Sequence, residues 1–139
     1  MKGLNAQQNL TLGITETLSS SILNEVRTLN IYLPACYSEI VAYPIIYLLD
    51  GSAYEDFIHV SSIMQFINMM SIIPDAIIVG IVNVNRKRDF CFSTAIDQDK
   101  KDFPTTGGSS NFIVFVEKEL QPYIENKYRT TASKTIIGQ

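Results

Sequence analysis

Three short polar stretches each follow an apolar run, and each has residue types that could take part in catalysis or binding. Asp50-Gly51-Ser52 follows Tyr47-Leu48-Leu49, and Gly138-Gln139 follows Thr135-Ile136-Ile137. The third follows Ala76–Val82 and contains the residues Asn85, Arg86, Arg88 and Asp89. Loops after parallel strands converge on the ligand crevice of an open α/β sheet, so we expect these stretches to meet at one edge.

The glycine at position 51 permits a sharp turn after a buried strand. Such a turn would leave the backbone N–H groups of Gly51 and Ser52 free to point at an anion. A purely structural alternative is a tight turn in which Asp50 caps its own backbone. The sequence alone leaves both interpretations open.

The basic stretch is the only dense cluster of positive charge in the chain. Arg86 and Arg88 could line the mouth of a substrate site or attract a carboxylate, with Asn85 and Asp89 beside them. Alternatively, either arginine could pair with Asp89 and fix the loop in place. The polar segment that runs on to Gly108 is longer than most connections, which favours a contribution to a binding surface.

A glycine that closes a buried strand is typical of a strand-to-helix turn. Gly138-Gln139 also matches the start of the nucleophile elbow, G-x-S-x-G, in which a strained turn exposes a serine hydroxyl. The triad of such enzymes follows the order serine, acid, histidine. The single histidine, His59, precedes this turn, and we expect it to be partly buried on a helix. No complete catalytic set lies within these residues, so we expect the chain alone to be inactive.

Composition excludes several other classes of protein. Cys36 and Cys91 form no Cys-x-x-Cys or Cys/His cluster, so we expect ordinary thiols and no structural zinc site. The net charge of −3 and the sequence pI of about 5.0 argue against nucleic-acid binding. The apolar runs are far shorter than the roughly 20 residues of an integral membrane span. Residues 1–8 lack a signal-like apolar stretch, which predicts a cytoplasmic protein, or a periplasmic or secreted one if a signal was removed.

The elements that position these stretches alternate in a regular order. Residues 11–18 and 26–33 alternate polar with apolar side chains, which predicts an antiparallel pair of strands at a sheet edge. Residues 44–49, 76–82 and 135–137 are continuously apolar, as is typical of parallel strands buried on both faces. Between them we predict two helices, Asp56–Met70 and Ser110–Tyr128. The fold class is therefore α/β, a mixed sheet of five strands with two covering helices.

Each predicted helix has a specific feature. Pro122 should kink the second helix or break it in two. On the first helix, a helical wheel places Ser61, Gln65 and Asn68 on a polar side. The wheel groups the apolar side chains of that helix on the other side: Phe57, Val60, Ile63, Met64, Phe66, Ile67 and Met70.

The predicted last strand is followed by Gly138-Gln139, and no predicted element covers its outer edge or one of its faces. We therefore expect residues 1–139 to be a single partial domain, the first half of a larger one. An oligomer that pairs this strand across subunits is an alternative.

Taken together, these pieces resemble the putative-esterase group of α/β-hydrolases, in particular its siderophore-esterase-like branch. The matching motifs are Tyr47-Leu48-Leu49-Asp50-Gly51, Ile78-Val79-Gly80-Ile81, Asn83…Arg86…Arg88-Asp89, Gly107-Gly108…Phe112, Glu119–Ile124, Tyr128-Arg129-Thr130 and Thr135–Gln139. The resemblance implies an α/β-hydrolase-like sheet. It also implies an oxyanion-hole segment at Gly51-Ser52 and a nucleophilic serine directly after Gln139, with the acid and histidine further on.

The resemblance further implies hydrolysis of a small-molecule carboxylic ester through an acyl-enzyme, with no metal or organic cofactor. Two other functions stay open at this point. A non-catalytic binding module could retain the first half of a hydrolase sheet, and related folds transfer the acyl group to an acceptor other than water.

Overall fold

The computed structural model describes residues 8–139. The prediction about a signal at the N-terminus rests largely on residues 1–7, which lie outside the described residues. The described residues form one five-stranded sheet with the strand order β1-β2-β4-β3-β5. Its strands are β1 Ile14–Ser20, β2 Glu25–Tyr32, β3 Tyr43–Leu48, β4 Ile77–Ile81 and β5 Thr130–Ile137.

Strand directions divide the sheet into two parts. β1 pairs with β2, and β2 with β4, in antiparallel fashion, whereas β3 lies parallel to both β4 and β5. The predicted mixed sheet, antiparallel first and parallel later, is confirmed. The carboxyl ends of β3, β4 and β5 therefore point to the same edge, where the three polar stretches follow them.

Helices cover both faces of the sheet. The predicted helices correspond to α1 Phe57–Met69 and to a continuous rod made of α4 Ser109–Phe115, a π-helical stretch Val116–Leu120 and α5 Gln121–Lys127. The predicted long loop also contains two short helices, α2 Arg86–Phe90 and α3 Asp97–Asp102. Helices of five and six residues are too short to show a full apolar period, so the sequence pattern did not reveal them.

The break expected at Pro122 takes the form of the π-helical stretch just before it. A proline within a helix has no N–H to donate, and its ring crowds the carbonyl four residues earlier. A wider turn relieves this crowding, and here the Gln121 N–H bonds back to the Val116 carbonyl, five residues away. Pro122 then occupies the first turn of α5, where its missing N–H costs little.

Two apolar clusters lie on opposite faces of the sheet. The larger joins alternate side chains of β2, β3 and β4 to the α4–α5 rod, with Phe115, Leu120 and Ile124 fully buried. The smaller joins the other face to α1 through Phe57 and Met64. The sheet is therefore a fixed central layer from which the polar edge loops project.

The packing of α1 corrects part of the sequence prediction. Its buried stripe is Phe57, Ser61 and Met64, whereas Ile63 is exposed and His59, expected to be partly buried, is also exposed. α1 is apolar on most sides, so the wheel did not identify the contact face. Ser61 is fully buried in this stripe, and its hydroxyl has no hydrogen-bond partner among the described residues.

The burial predicted for the last strand is also wrong. Residues 132–137 of β5 are exposed, including Ile136 at 59% and Ile137 at 37%. β5 is an edge strand paired only with β3 among the described residues, and Ile136 borders an open apolar cavity of about 480 Å³ beside α4. Within residues 8–139, no helix is long and apolar enough to cross a membrane.

Candidate functional site

The turn after β3 is held in a strained conformation against the neighbouring strand. Asp50 has a φ of 52°, a left-handed value that non-glycine residues rarely adopt. A Cβ atom on Gly51 would lie 2.4 Å from the backbone of Gly80 and from the nitrogen of Ile81. Only glycine permits so close an approach, so the sequence Asp50-Gly51 places the following residue directly over the end of β4.

The hydrogen bonds of this turn distinguish the two predicted oxyanion donors. The Gly51 N–H donates to the Ile81 carbonyl at 3.0 Å, and the Gly51 carbonyl accepts from Asn30 Nδ2 at 2.9 Å. The expectation that the Gly51 N–H is free is therefore wrong, because β4 already uses it. Among the described residues, the half-buried Ser52 has no acceptor for its N–H, so this group remains available to a ligand.

The Asp50 carboxylate is bound by side chains from the loop after β4. Its oxygens accept from Asn83 Nδ2 at 2.6 Å and from Arg86 Nε and Nη2 at 2.8 and 3.2 Å. The hydrogen bond from Arg86 holds the pKa of Asp50 below its usual 3.8, with Asn83 adding to the effect against the opposing influence of burial. Asp50 is therefore a fixed anion that joins the turn after β3 to the loop after β4.

The end of the chain after β5 reaches the same cluster. Arg86 Nη2 lies 3.3 Å from the Gln139 carbonyl oxygen, and Gln139 Nε2 donates to Asp56 Oδ2 at 2.6 Å. These groups surround an open cavity of about 320 Å³, whose wall also includes Glu55. The predicted meeting of three loops at one edge is thus observed, with Arg86 in contact with the other two.

The remaining candidates of the basic loop face away from this cavity. Asn85 caps α2, since its Oδ1 accepts from the Arg88 N–H at 3.0 Å. Arg88 binds both carboxylate oxygens of Glu25 and also donates to Asp89 at 2.7 Å. The alternative in which an arginine pairs with Asp89 and fixes the loop therefore describes Arg88. Of the residues predicted in this loop, Arg86 is the one that reaches Gln139.

A buried ion pair anchors this loop to the sheet. Arg27 of β2 is fully buried, and its Nη2 lies 2.6 Å from Oδ2 of Asp89, which is 1% exposed. The guanidinium carbon also lies 5.5 and 5.8 Å from the ring centroids of Phe112 and Phe115, within the range of cation–π attraction. Asp89 is thereby held in the interior, and it anchors α2, the short helix that begins at Arg86.

Sequence reasoning did not assign a role to several residues of the site. Asn30 and Arg27 stand out as polar side chains in a strand whose other inward positions are apolar, and that contrast could have marked them. Asp56 precedes α1 and gave no such signal. Chemically, this edge offers the Ser52 N–H as a hydrogen-bond donor, while the cavity wall carries the carboxylates of Asp50, Glu55 and Asp56 with Arg86 as their counter-charge.

Comparison with known proteins identifies a family. A family model described as Putative esterase matches residues 20–139. The chain is 32% identical over 145 residues to the ferri-bacillibactin esterase BesA of Bacillus subtilis (strain 168), covering 89% of this chain and 48% of that protein.

Solved structures show the same fold. An IroE-like serine hydrolase from Shewanella oneidensis is 38% identical with a TM-score of 0.83, over 91% of this chain and 42% of that one. The BES protein from Bacillus cereus is 26% identical with a TM-score of 0.79, over 100% of this chain and 56% of that one. The chain thus spans about half the length of the relatives that it matches.

Proposed function

Because this chain belongs to the Putative esterase family, we propose that it forms the first half of a serine hydrolase domain that cleaves small-molecule carboxylic esters. In that domain the residue after Gln139 is the nucleophilic serine. The general base is a histidine, oriented by an acidic residue, and both lie beyond these residues. Serine and histidine carry out this chemistry without a metal ion or an organic cofactor.

The observation that carries the proposal is the available N–H of Ser52 at the edge where Gln139 lies. The serine Oγ attacks the ester carbonyl carbon while its proton passes to the histidine. The carbonyl oxygen becomes an oxyanion, which accepts hydrogen bonds from Ser52 and from the N–H of the residue after the serine. The alcohol leaves with the proton from histidine, and water then releases the acid from the acyl-enzyme.

The names of the relatives favour a substrate class. BesA is a ferri-bacillibactin esterase, and the Shewanella protein is described as an IroE-like serine hydrolase. We therefore propose a siderophore ester as the substrate, with water as the acyl acceptor.

The first test is to sequence the coding DNA just beyond the codon for Gln139. The proposal expects Ser-x-Gly followed by at least a hundred further codons. The protein from the complete reading frame should react with a fluorophosphonate probe and hydrolyse p-nitrophenyl acetate and enterobactin. Replacing the serine by alanine should abolish both activities.

The 139-residue chain alone provides the matched control. It should show no fluorophosphonate labelling and no turnover above a heat-killed sample. A stop codon directly after Gln139, or a complete protein that the probe does not label, would overturn the proposal. Either result would leave a non-catalytic binding module as the better explanation of the fold.

A further inference from the structure

Arg86 connects two parts of the edge cluster that are far apart in the sequence. Its Nη2 lies 3.2 Å from Asp50 Oδ2 and 3.3 Å from the Gln139 carbonyl, and its Nε donates to Asp50 Oδ1 at 2.8 Å. One planar guanidinium thus contacts the turn that carries Ser52 and the chain that follows β5. A guanidinium is well suited to this because its N–H groups have a fixed fork geometry.

The contacts of Asp50 hold this turn in place. Its φ of 52° lies in the left-handed region, which aspartate adopts more readily than most non-glycine residues. Here the carboxylate is held by Arg86 and Asn83, and the Asp50 carbonyl accepts from the Asp56 N–H at 3.1 Å. These contacts fix the direction in which the next two N–H groups point, including that of Ser52.

Arg86 is itself held in place. Asn85 caps the short helix α2, and Asp89 anchors it to the buried Arg27. The Arg86 guanidinium also lies 5.3 Å from the ring centroid of Phe90, within cation–π range. A chain of contacts therefore runs from the core strand β2 through α2 to the edge cluster.

We propose that Arg86 is a positioning residue that sets the distance between the two oxyanion donors, the Ser52 N–H and the N–H that follows the nucleophile. This inference rests on the proposed function. Donors must lie about 2.7–3.1 Å from the oxyanion, and a misplacement of about 1 Å can cost roughly a hundredfold in rate. Arg86 acts on the turn through Asp50 and on the elbow through Gln139, and it does not touch the reacting atoms.

The kinetic test uses the protein from the complete reading frame. Arg86→Met should lower kcat by about a hundredfold with little change in KM, because a lost transition-state interaction affects kcat. Arg86→Lys keeps the positive charge but lacks the fork geometry of the guanidinium. Its kcat should lie between those of the unmodified protein and of Arg86→Met. Arg129→Met, at an exposed arginine outside the site, is the matched control and should leave kcat unchanged.

Chemical rescue separates positioning from general support of the fold. Arg86 is half-exposed, so a small cation can enter the space that its removal leaves. Millimolar guanidinium should restore much of the kcat lost in Arg86→Ala but little of that lost in the double variant with Asp50→Asn. A rise in KM at constant kcat would mean that Arg86 binds substrate directly, and that result would overturn the inference, as would an absence of rescue.

A second measurement decides the inference even if the complete protein has no esterase activity. In the same complete protein, hydrogen–deuterium exchange should become faster in segments 50–56 and 137–139 of the Arg86→Met variant. The Arg129→Met variant should match the unmodified chain. Unchanged exchange in both segments would show that Arg86 does not position them, whereas missing esterase activity alone would count only against the proposed function.

Discussion

Replacing Asp89 by asparagine should destabilise the fold strongly, because it removes one partner of a buried ion pair while keeping the side chain's shape. The Asp89 carboxylate accepts from Arg27 Nη2 at 2.6 Å and from Arg88 Nε at 2.7 Å. An asparagine turns one of these acceptors into an NH₂ donor that faces a guanidinium. The Arg27 charge then remains in the interior, with Glu25 as its remaining anionic partner.

The size of the effect follows from the burial of the pair. Breaking a buried pair by removing one partner costs about 3–5 kcal/mol. Arg27 keeps Glu25, so we expect the lower end, about 3 kcal/mol. An unfolding entropy of about 2.1 cal/mol/K per residue gives about 0.29 kcal/mol/K for 139 residues. The melting temperature should therefore fall by about 10 °C.

The assay is urea and thermal unfolding followed by circular dichroism. Asp97→Asn is the matched control, because the Asp97 side chain is 90% exposed and pairs only with Lys100 on the surface. Its cost should be about 0–1 kcal/mol. Combining Asp89→Asn with Arg27→Met should cost about 1–3 kcal/mol less than the sum of the single changes. Equal losses in Asp89→Asn and Asp97→Asn, or strict additivity in the double variant, would refute the reasoning.

Three further predictions concern the edge cluster and α1. The pKa of Asp50 is lower in the folded protein than its usual 3.8, and the stability that this difference contributes is present above pH 3.8 and lost as the pH falls through the folded-state pKa. When unfolding is followed at decreasing pH, Asp50→Asn should therefore lose less stability than the unmodified protein. Gly51→Ala should destabilise the protein by about 1–3 kcal/mol or more in a urea titration, since its Cβ would lie 2.4 Å from the β4 backbone. Gly138→Ala should cost less in the same titration, because its Cβ would meet the flexible side chain of Leu49 at 3.0 Å. Ser61→Ala should stabilise the protein by about 1 kcal/mol more than Ser62→Ala in thermal unfolding. The Ser61 hydroxyl is buried without a partner among the described residues, whereas Ser62 is exposed. An equal effect of the two substitutions would contradict this reasoning.

Much of the fold could be predicted because strand signals are local. Continuous apolar runs identified β3 and β4 within a residue or two, and the rule that parallel strands end at one edge brought the loops together. The partners within the cluster could not be predicted. Arg86 and Asp50 are 36 residues apart, and nothing in the sequence says which arginine faces the edge and which faces the core.

Three errors have the same physical origin. Burial of Ser61 rather than Ile63, and exposure of Ile136, depend on how closely neighbouring elements pack, which no single segment determines. The Gly51 N–H was expected to be free because a turn glycine has no obvious acceptor. Its acceptor is Ile81, at the end of another strand, and only the assembled sheet supplies it.

The strand order has a consequence for synthesis on the ribosome. β4 lies between β2 and β3, so the four strands β1 to β4 are all present once Ile81 has been made. At about 5–20 residues per second, the 49 residues from there to Thr130 take roughly 2–10 s to make. β5 then adds to the open side of β3 and carries Gln139 to Arg86. Of the five strands, the one that completes the edge cluster is the last to be translated.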